Sequence, residues 1–540
     1  MQTSFKNLPS KQRAKPEFLM ICDYDSPQVP ENLEADLCVI GSGAAGITIA
    51  REFLQSGLRV AVLAGGSREQ TRQDQTLYDS QIVGLPHPGT HEGRARTFGG
   101  TTTLWGGQAL PLDRIDFETR SWVAHSGWPF TRAELDPFYG RAQQVMHLPA
   151  LDFEADVWKQ FHVEPPAYDA DCLSATFSQW SPNPNFALAH RQALETSSAV
   201  TVYLNAHAAN IQTNASAASV EHVEVRTLAG KKGRLRARSY ILCGGGIETA
   251  RILLASNSVE PHGLGNSHDV VGRYFQDHPA VRFAEVHPHR RGRFQELYDH
   301  FYLDGVKLLP KIALAAAAQR REEVLNAVAI IQFDMASDSG ITASKEILRA
   351  LKSRRLPRGS QIWSAVRDAD EVVRLALRYR FQKRSFSPKR GPIYLEAHCE
   401  QEPNPDSRIS LCDEVDALGV RRARVDWRVT DLHKKTVGVL QEMIGTEFER
   451  LQIGRVESLN VFSPGADWRS KIYDVNHHMG TTRMHDDPRC GVVDGQCQVH
   501  GVNNLYIGSS AVFPTGGYSN PTLTMMALCL RLSDRLKKIL

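Results

Sequence analysis

Short apolar runs separated by amphipathic stretches dominate the N-terminal part of the chain and predict a βαβ unit. The first run is followed by glycines and by apolar residues at helical spacing, and a second run comes directly after. A later apolar run again leads into glycines and a helical stretch, which returns the chain to the same sheet. The runs are residues 36–40, 59–63 and 239–242, and the helical stretches are Ile47 to Leu54 and residues 249–255. This order predicts an α/β fold with a parallel sheet.

Two further strand-like runs, residues 392–397 and 424–429, predict an antiparallel sheet in a second domain. The first domain is then discontinuous, comprising residues 34–111, 201–276 and 463–540. Residues 112–200 and 277–462 form the second domain.

A strongly basic helical insert interrupts the second domain around residues 344–390. Apolar residues recur there at helical spacing, from Ile362 and Val366 to Val373 and Leu377. We expect amphipathic helices with a basic, solvated outer face, and the alternative is a docking surface for an acidic redox partner or anionic lipid. An oligomer contact through this insert also stays open.

Composition narrows the function classes. The chain has 540 residues, 42% hydrophobic and 23% charged, with a net charge of +3, as expected for a globular protein. Its N-terminal residues lack the apolar core of a secretory signal, so we expect a cytoplasmic protein. Nine cysteines without a C-x-x-C pair indicate reduced thiols. Nucleic acid is not expected, because no binding motif accompanies the basic charge.

The glycines after the first apolar run, Gly41, Gly43 and Gly46, have the spacing of a dinucleotide-binding loop. Such glycines permit a tight turn, close approach to a pyrophosphate and packing of helix on strand. The acidic residue that usually binds ribose after the second strand is replaced by Ala64. Glu69 or the backbone of Gly65 and Gly66 are the available substitutes.

A Gly- and Thr-rich segment, residues 96–107, has the composition of a loop that wraps a ligand. With it, further landmarks along the chain resemble the glucose-methanol-choline (GMC) family of FAD oxidoreductases. The landmarks are residues 127–130, 263–266, 271–275, 277–279, 400–408, 476–484, 504–517 and 520–524. The resemblance is strongest to the branch of pyranose oxidases and fructose and gluconate dehydrogenases. It implies a Rossmann-like FAD-binding domain plus an α+β substrate domain whose antiparallel sheet covers the flavin.

The resemblance also implies the site. It makes His477 the base that removes a hydroxyl proton and Asn520 the group that holds the hydroxyl, while flavin carries the redox step. His478 is interpreted as structural, His278 as a turn residue, and a metal on His477, His478 and His485 is not expected. In pyranose oxidases a histidine before the loop tryptophan links covalently to flavin; here Leu104 stands there, so we expect dissociable FAD.

The residues expected beside the cofactor are Gly41, Gly43, Ala45, Gly46, Arg96, Gly99, Gly100, Thr101, Thr102, Thr103, Trp105, Gly106, Ala208, Gly245, Gly508, Ser509, Pro521 and Thr522. The implied substrate is a sugar, a glycoside or a related small-molecule alcohol, with O2, quinone or a redox protein as electron acceptor. The alternatives are a redox-silent lyase of the same family, an oxidoreductase for a non-sugar alcohol, and a non-enzymatic flavoprotein. Some family dehydrogenases are exported with a small subunit, which keeps a periplasmic location open.

Overall fold

The structure is a computed structural model that describes residues 20–540 except 152, 154–156, 335–338, 354–355 and 386–390. The N-terminal residues on which the expectation of a cytoplasmic location rests lie outside this range, as does part of the basic insert. The predicted α/β class, with one parallel and one antiparallel sheet, is confirmed.

A six-stranded parallel sheet forms the centre of the first domain, in the order β1-β8-β4-β3-β12-β21. Its central strands are buried along their whole length, as is typical of a parallel sheet that is covered on both faces. The strands are β1 (Ile21–Asp23), β3 (Leu37–Ile40), β4 (Val60–Leu63), β8 (Val200–Leu204), β12 (Ser239–Leu242) and β21 (Leu505–Ile507). The three predicted runs are neighbouring strands of this sheet, in the register Leu37↔Val60 and Ser239↔Leu37.

Helices begin where two of these strands end, as the glycines predict. The first is α1 (Ala44–Glu52), the second is α8 (Gly245–Ala255), and the buried C-terminal helix α15 (Pro521–Ile539) packs on α1. The remaining described α-helices are α2 (Arg72–Gln75), α3 (Gly89–Glu92), α4 (Asp136–Val145), α5 (Val157–Gln160), α6 (Phe186–Ala189), α7 (Arg191–Glu195), α9 (Arg291–Tyr298), α10 (Ala316–Glu322), α11 (Gly340–Lys352), α12 (Gly359–Arg367), α13 (Ala369–Leu377) and α14 (Asp431–Arg450). None of the described helices is both long enough and apolar enough to cross a bilayer.

The second domain contains an eight-stranded sheet in the order β20-β13-β17-β16-β15-β7-β6, with β14 paired to β15. All pairs are antiparallel. The strands are β6 (Gln108–Ala109), β7 (Leu173–Trp180), β13 (Ala280–Pro288), β14 (Phe301–Leu303), β15 (Val306–Leu314), β16 (Ala327–Phe333), β17 (Ile393–Cys399) and β20 (Gly454–Ser458). The predicted run 392–397 therefore belongs to this sheet.

Two smaller sheets complete the described structure. The predicted run 424–429 overlaps β19 (Arg421–Asp426), which pairs with β18 (Arg408–Val415) and β5 (Gln81–Ile82) in a separate sheet. A one-dimensional apolar pattern identifies a strand but not its partners, so the sequence could not separate the two sheets. The other small sheet is β2 (Asn32–Glu34), β11 (Lys232–Arg236), β10 (Val220–Arg226) and β9 (His207–Thr213).

The basic insert forms helices α11 to α13 between β16 and β17, and apolar side chains share its exposed side with the basic ones. Ile362, Val366, Val373 and Leu377 are each about half exposed or more. Polar side chains hold the inner side instead, because Asp368 is buried and its Oδ2 accepts the Gly340 N–H at 2.9 Å.

Candidate active site

A cavity of about 560 Å³ opens where the parallel sheet meets the antiparallel sheet. The carboxyl-terminal residues of three parallel strands, Ile40, Leu63 and Leu242, line it. On the antiparallel sheet, Gln108 and Trp180 line it. Ligands of open α/β sheets bind beyond the carboxyl ends of the strands, so this is the expected position for a ligand site.

The cavity brings together residues that are far apart in sequence, including both ends of the chain. Of the residues that the sequence placed beside a cofactor or at the chemistry, those that line it are Gly41, Gly43, Ala45, Arg96, Gly100, Thr101, Thr102, Trp105, Gly106, Ala208, Gly245, His477, Asn520, Pro521 and Thr522. The residues that lie outside the lining are Gly46, Gly99, Thr103, Gly508 and Ser509. Leu104, in place of a linking histidine, also lines the cavity.

Two glycines of the first loop are required by space rather than by contact with a ligand. Gly41 has φ +114°, and a Cβ there would lie 2.6 Å from the carbonyl oxygen of Cys243 on the next strand. A Cβ on Gly46 would lie 1.9 Å from the carbonyl oxygen of Gly41. Gly46 therefore allows α1 to pack on the loop, whereas a Cβ on Gly43 would meet open space.

Of the groups considered in place of the missing ribose-binding acid, Glu69 is exposed and lies outside the cavity lining, whereas Gly65 lines it. Three acidic residues also line the cavity: Glu92, Asp416 and Glu248, which lies on α8. Glu248 is surrounded by arginines. Its carboxylate pairs with Arg94 at 3.2 Å, Arg96 at 3.3 Å and Arg251 at 3.0 Å. Burial opposes its ionisation, but these three guanidinium groups lower its pKa to about 2. The spacing rule missed Glu248 because it lies on a different βα unit.

His477 and Asn520 meet at the cavity wall. Nδ2 of Asn520 lies 3.1 Å from Nε2 of His477. An amide nitrogen donates only, so Nε2 is the acceptor in this arrangement and the imidazole proton resides on Nδ1. Oδ1 of Asn520 is buried and has no hydrogen-bond partner among the described residues. The pair thus presents a free carbonyl oxygen beside a nitrogen whose lone pair is held by the Asn520 amide.

His278 contacts the other nitrogen of His477, so it does more than shape a turn. The two Nδ1 atoms are 2.8 Å apart, and the rings meet edge to face at 81°. With the proton on Nδ1 of His477, that nitrogen donates to His278. Burial lowers the pKa of His278 to about 4, and burial together with the nearby His278 lowers the pKa of His477 well below its ordinary value. Both imidazoles are therefore neutral at physiological pH.

Asp277 fixes the chain segment that carries His477. Its Oδ1 accepts the backbone N–H groups of His278 at 2.7 Å, Val475 at 3.3 Å and His477 at 3.0 Å. Its Oδ2 accepts the His477 N–H at 3.1 Å and Nε2–H of His87 at 3.1 Å. The carboxylate is completely buried, which would raise its pKa, but the contacts with His87 and the neighbouring histidines lower it strongly.

His478 lies near an acidic residue that could not be identified from the sequence. Its Nε2 lies 3.9 Å from Oδ2 of Asp277, which also contacts His87. The ligand atoms of His87, Asp277 and His478 lie within 4.8 Å of one another. Helical spacing around residues 477–485 could not reveal this group, because His87 and Asp277 come from distant parts of the chain.

A polar stripe crosses the face of the antiparallel sheet that Gln108 and Trp180 share. Directly paired residues project on one face, and the pairs Lys311↔Thr176, Lys311↔Ile330 and Ile330↔Glu396 form this row. His398, two residues after Glu396, lies 3.0 Å from its carboxylate. His398 and Lys311 both contribute to the lowered pKa of His477, so the stripe faces the histidine.

Lys311 is the unusual member of this stripe. It is only 3% exposed, and its ammonium group makes no hydrogen bond or ion pair with the described residues. Burial lowers its pKa to about 7. A lysine within a strand of apolar residues carries no motif, so no signal in the sequence could have identified it.

The lining fits a dinucleotide. Four buried polar atoms of lining residues have no hydrogen-bond partner among the described residues: Trp180 Nε1, Thr249 Oγ1, His478 Nε2 and Asn520 Oδ1. Unpaired buried polar atoms are costly, so they indicate a ligand that satisfies them. The N-terminus of α1 faces the same cavity through Gly43 and Ala44 and favours a phosphate.

Comparison with known proteins agrees with this architecture. Residues 403–529 match the sequence profile of the GMC oxidoreductases. The pyridoxine 4-oxidase of Mesorbium loti has a similar fold, with a TM-score of 0.56, 16% identity and coverage of 93% of this chain and 98% of that chain. The fold is thus similar to that of this oxidase over nearly the whole chain, and the matched segment is similar to the GMC oxidoreductases.

Two curated relatives extend the likeness. The fructose dehydrogenase large subunit of Gluconobacter japonicus is 26% identical over 303 residues, which cover 56% of this chain and 47% of the relative. The paromamine 6'-oxidase of Streptomyces fradiae is 25% identical over 550 residues, covering 92% of this chain and 90% of the relative. The chain thus spans about half the length of the first relative and nearly all of the second. Its C-terminal segment is thus similar to the GMC oxidoreductases, the family that its landmarks resemble.

Proposed function

We propose that this protein oxidises a CH–OH group of a sugar, a glycoside or a related polyhydroxylated alcohol to the carbonyl, with FAD as the cofactor and His477 as the base. The observation that carries this proposal is the contact of Asn520 with Nε2 of His477 in the wall of a dinucleotide-sized cavity. The two residues are well separated along the C-terminal segment, and their polar side-chain atoms meet in the cavity wall.

The residues that would hold FAD are those of the lining. The Gly41 loop and the N-terminus of α1 suit the pyrophosphate, and Ala208 lies with Glu248 in the same lining. When bound, FAD accepts the hydride that leaves the carbinol carbon. Because Leu104 cannot form a covalent link, we expect FAD to be released by denaturation and to pass an ultrafiltration membrane. Yellow colour that stays with the polypeptide contradicts this expectation.

The protein's own groups handle the proton. Nε2 of His477 carries a lone pair that accepts the Asn520 N–H in this structure, and burial keeps the ring neutral. A substrate hydroxyl that takes the place of this N–H can give its proton to Nε2 as the C–H bond breaks. The Asn520 carboxamide orients the same hydroxyl. His278 holds the proton on Nδ1 of His477 and so keeps Nε2 available. Asp277 holds the backbone of the residue in place.

The polar stripe supports a polyhydroxylated substrate over a steroid or aryl alcohol. Thr176, Lys311, Glu396 and His398 offer donors and acceptors on the face that looks towards His477. A substrate with several hydroxyl groups can form hydrogen bonds with them, above all with Lys311, whereas an apolar substrate would bury them without adding a partner. The names of the two relatives, for fructose and paromamine, agree with this choice.

Anaerobic flavin reduction tests the proposal. Sugars, glycosides and simple alcohols are mixed with the FAD-loaded protein, and loss of flavin absorbance is followed. His477→Ala should slow the bleaching by roughly 10²–10⁴ and retain FAD. His485→Ala is the matched control, because His485 lies outside the cavity lining. Equal rates in His477→Ala and wild type remove His477 from its role. If no carbinol bleaches the flavin, the redox-silent lyase is the better assignment.

Reoxidation after this reduction identifies the electron acceptor. The reduced protein is exposed separately to air, to a soluble quinone and to an oxidised cytochrome, and the return of flavin absorbance is timed. We propose one of these three classes as the acceptor. A rate with air that matches steady-state turnover assigns an oxidase, and reoxidation by quinone or cytochrome alone assigns a dehydrogenase.

A further inference from the structure

The connection between β16 and β17 carries the largest group of exposed apolar side chains in the described structure. Of the eighteen large hydrophobic side chains that are exposed among the described residues, ten lie between positions 348 and 381. They are Leu348, Leu351, Leu356, Ile362, Trp363, Val366, Val373, Leu377, Tyr379 and Phe381. Leu356 is 94% exposed, Phe381 73% and Trp363 68%. We call this set the insert surface.

The helices that carry the insert surface have their polarity reversed relative to a core-packed helix. Their inner contacts are polar as well as apolar: Ile341 and Ala343 are buried, while Ser339 caps α11 through the Thr342 N–H at 3.2 Å and Asp368 accepts the Gly340 N–H. Glu371 is also buried. An ordinary amphipathic helix buries its apolar stripe against the protein. Here the stripe is directed outward, which marks an interaction site rather than a solvated face.

The charge around the insert surface restricts what can cover it. Lys345, Arg349, Arg358, Arg380 and Lys383 are exposed among the apolar residues. Residues 345–390 contain fourteen Lys or Arg and four Asp or Glu. A second copy docked through the same surface would bring two such clusters together, and their repulsion opposes that arrangement. The occupant must be apolar in part and negatively charged.

A lipid surface satisfies both requirements better than a protein. Arginine is enriched and lysine depleted at protein interfaces, and this surface carries both, mixed with apolar side chains over three helices. That mixture is typical of helices that lie in the membrane interface, where tryptophan and tyrosine sit at the level of the lipid headgroups. We propose that the insert surface docks the protein on a bilayer that contains anionic lipids.

Sedimentation with vesicles tests this proposal without any turnover. The full-length, FAD-loaded protein is mixed with vesicles of phosphatidylcholine alone or with about 30% phosphatidylglycerol. The expected result is at least about tenfold stronger partitioning to the anionic vesicles, reduced by high salt. The triple variant Leu356→Ser, Trp363→Ser and Phe381→Ser should lose about tenfold or more of that partitioning.

The control is Leu188→Ser, because Leu188 is 69% exposed but lies on α6, outside the insert. Its partitioning should equal that of wild type, and all variants should keep the wild-type far-ultraviolet circular dichroism. Failure of wild type to bind either vesicle overturns the proposal, as does equal binding by the triple variant. Self-association that the triple variant abolishes, or binding of an acidic protein in place of vesicles, reassigns the surface. Because no substrate is used, these outcomes are independent of the proposed reaction.

Discussion

Replacement of Asp277 by asparagine should destabilise the protein and displace His477. The carboxylate accepts three backbone N–H groups on Oδ1 and both the His477 N–H and Nε2–H of His87 on Oδ2. An asparagine has one acceptor oxygen. If that oxygen takes the Oδ1 position, the NH2 group faces two other donors.

The expected magnitude follows from the hydrogen bonds that Oδ2 accepts. The His477 N–H also contacts Oδ1 at 3.0 Å, so the hydrogen bond that the substitution removes outright is the one from Nε2–H of His87. A hydrogen bond to a charged group contributes about 1.5–3 kcal/mol, so the free energy of unfolding should fall by about 1.5–3 kcal/mol. His87 can move its proton to Nδ1, where Oγ1 of Thr90 lies 3.0 Å away, and accept from the new amide. In that case the free energy of unfolding should fall by less than this.

The pH dependence has a definite sign. The pKa of Asp277 is lower in the folded protein than in the unfolded chain, where it is about 3.9. Its contribution to stability is therefore fully present above that value and is lost as the pH falls towards the folded-state pKa. The difference between wild type and Asp277→Asn should be constant from pH 7 to about pH 4 and shrink below it.

Urea unfolding followed by tryptophan fluorescence measures this difference, and anaerobic flavin reduction measures the placement of His477. We expect reduction to slow by about 10–100-fold, because misplacement of a catalytic group by 1 Å has an effect of that order. Asp474→Asn is the matched control: burial raises the pKa of Asp474, and an amide oxygen can still accept the Gly89 N–H. That variant should be as stable as wild type at pH 7, or more so. If Asp277→Asn matches wild type in stability and reduction rate, Asp277 does not hold the loop.

Two further predictions follow from the cavity. Gly46→Ala should lower the thermal midpoint of the FAD-free protein, because its Cβ would lie 1.9 Å from the Gly41 carbonyl oxygen. Gly43→Ala should leave that midpoint unchanged, because its Cβ would meet open space, and should weaken FAD binding in a fluorescence titration. The reverse pattern would reject these roles. Lys311→Met should lower kcat/KM for a sugar by about 10–100-fold, because it removes a hydrogen-bond donor. The thermal midpoint should be unchanged or higher, because the same ammonium group is buried without a partner among the described residues. Equal kcat/KM for sugars would exclude contact with the substrate.

The parallel sheet could be predicted from the sequence because the signals for its strands, turns and helices lie next to one another along the chain. Each strand is an apolar run, each turn has its glycines, and the helix follows at once, so the strands β3, β4 and β12 could be predicted within one residue and the starts of α1 and α8 within three or four. The surroundings of His477 could not. Asp277 and His87 reach it from 200 and 390 residues away, and Lys311 belongs to a strand whose pattern is apolar. Such contacts depend on sheet order, which the sequence does not contain.

The basic insert shows a different limit of periodicity. A spacing of three and four residues establishes that a helix has an apolar side, and both the expected and the observed orientation satisfy it equally. The direction depends on what the helices pack against. Buried Asp368 and Glu371 occupy the inner side of α12 and α13, so the apolar side is left outside. Exposed apolar area of this extent loses the stabilisation that burial would give, about 25 cal/mol per Å². Such a loss can persist in evolution where a binding partner covers the apolar area. The basic residues among the apolar ones favour an anionic partner, in agreement with the proposed docking on anionic lipids.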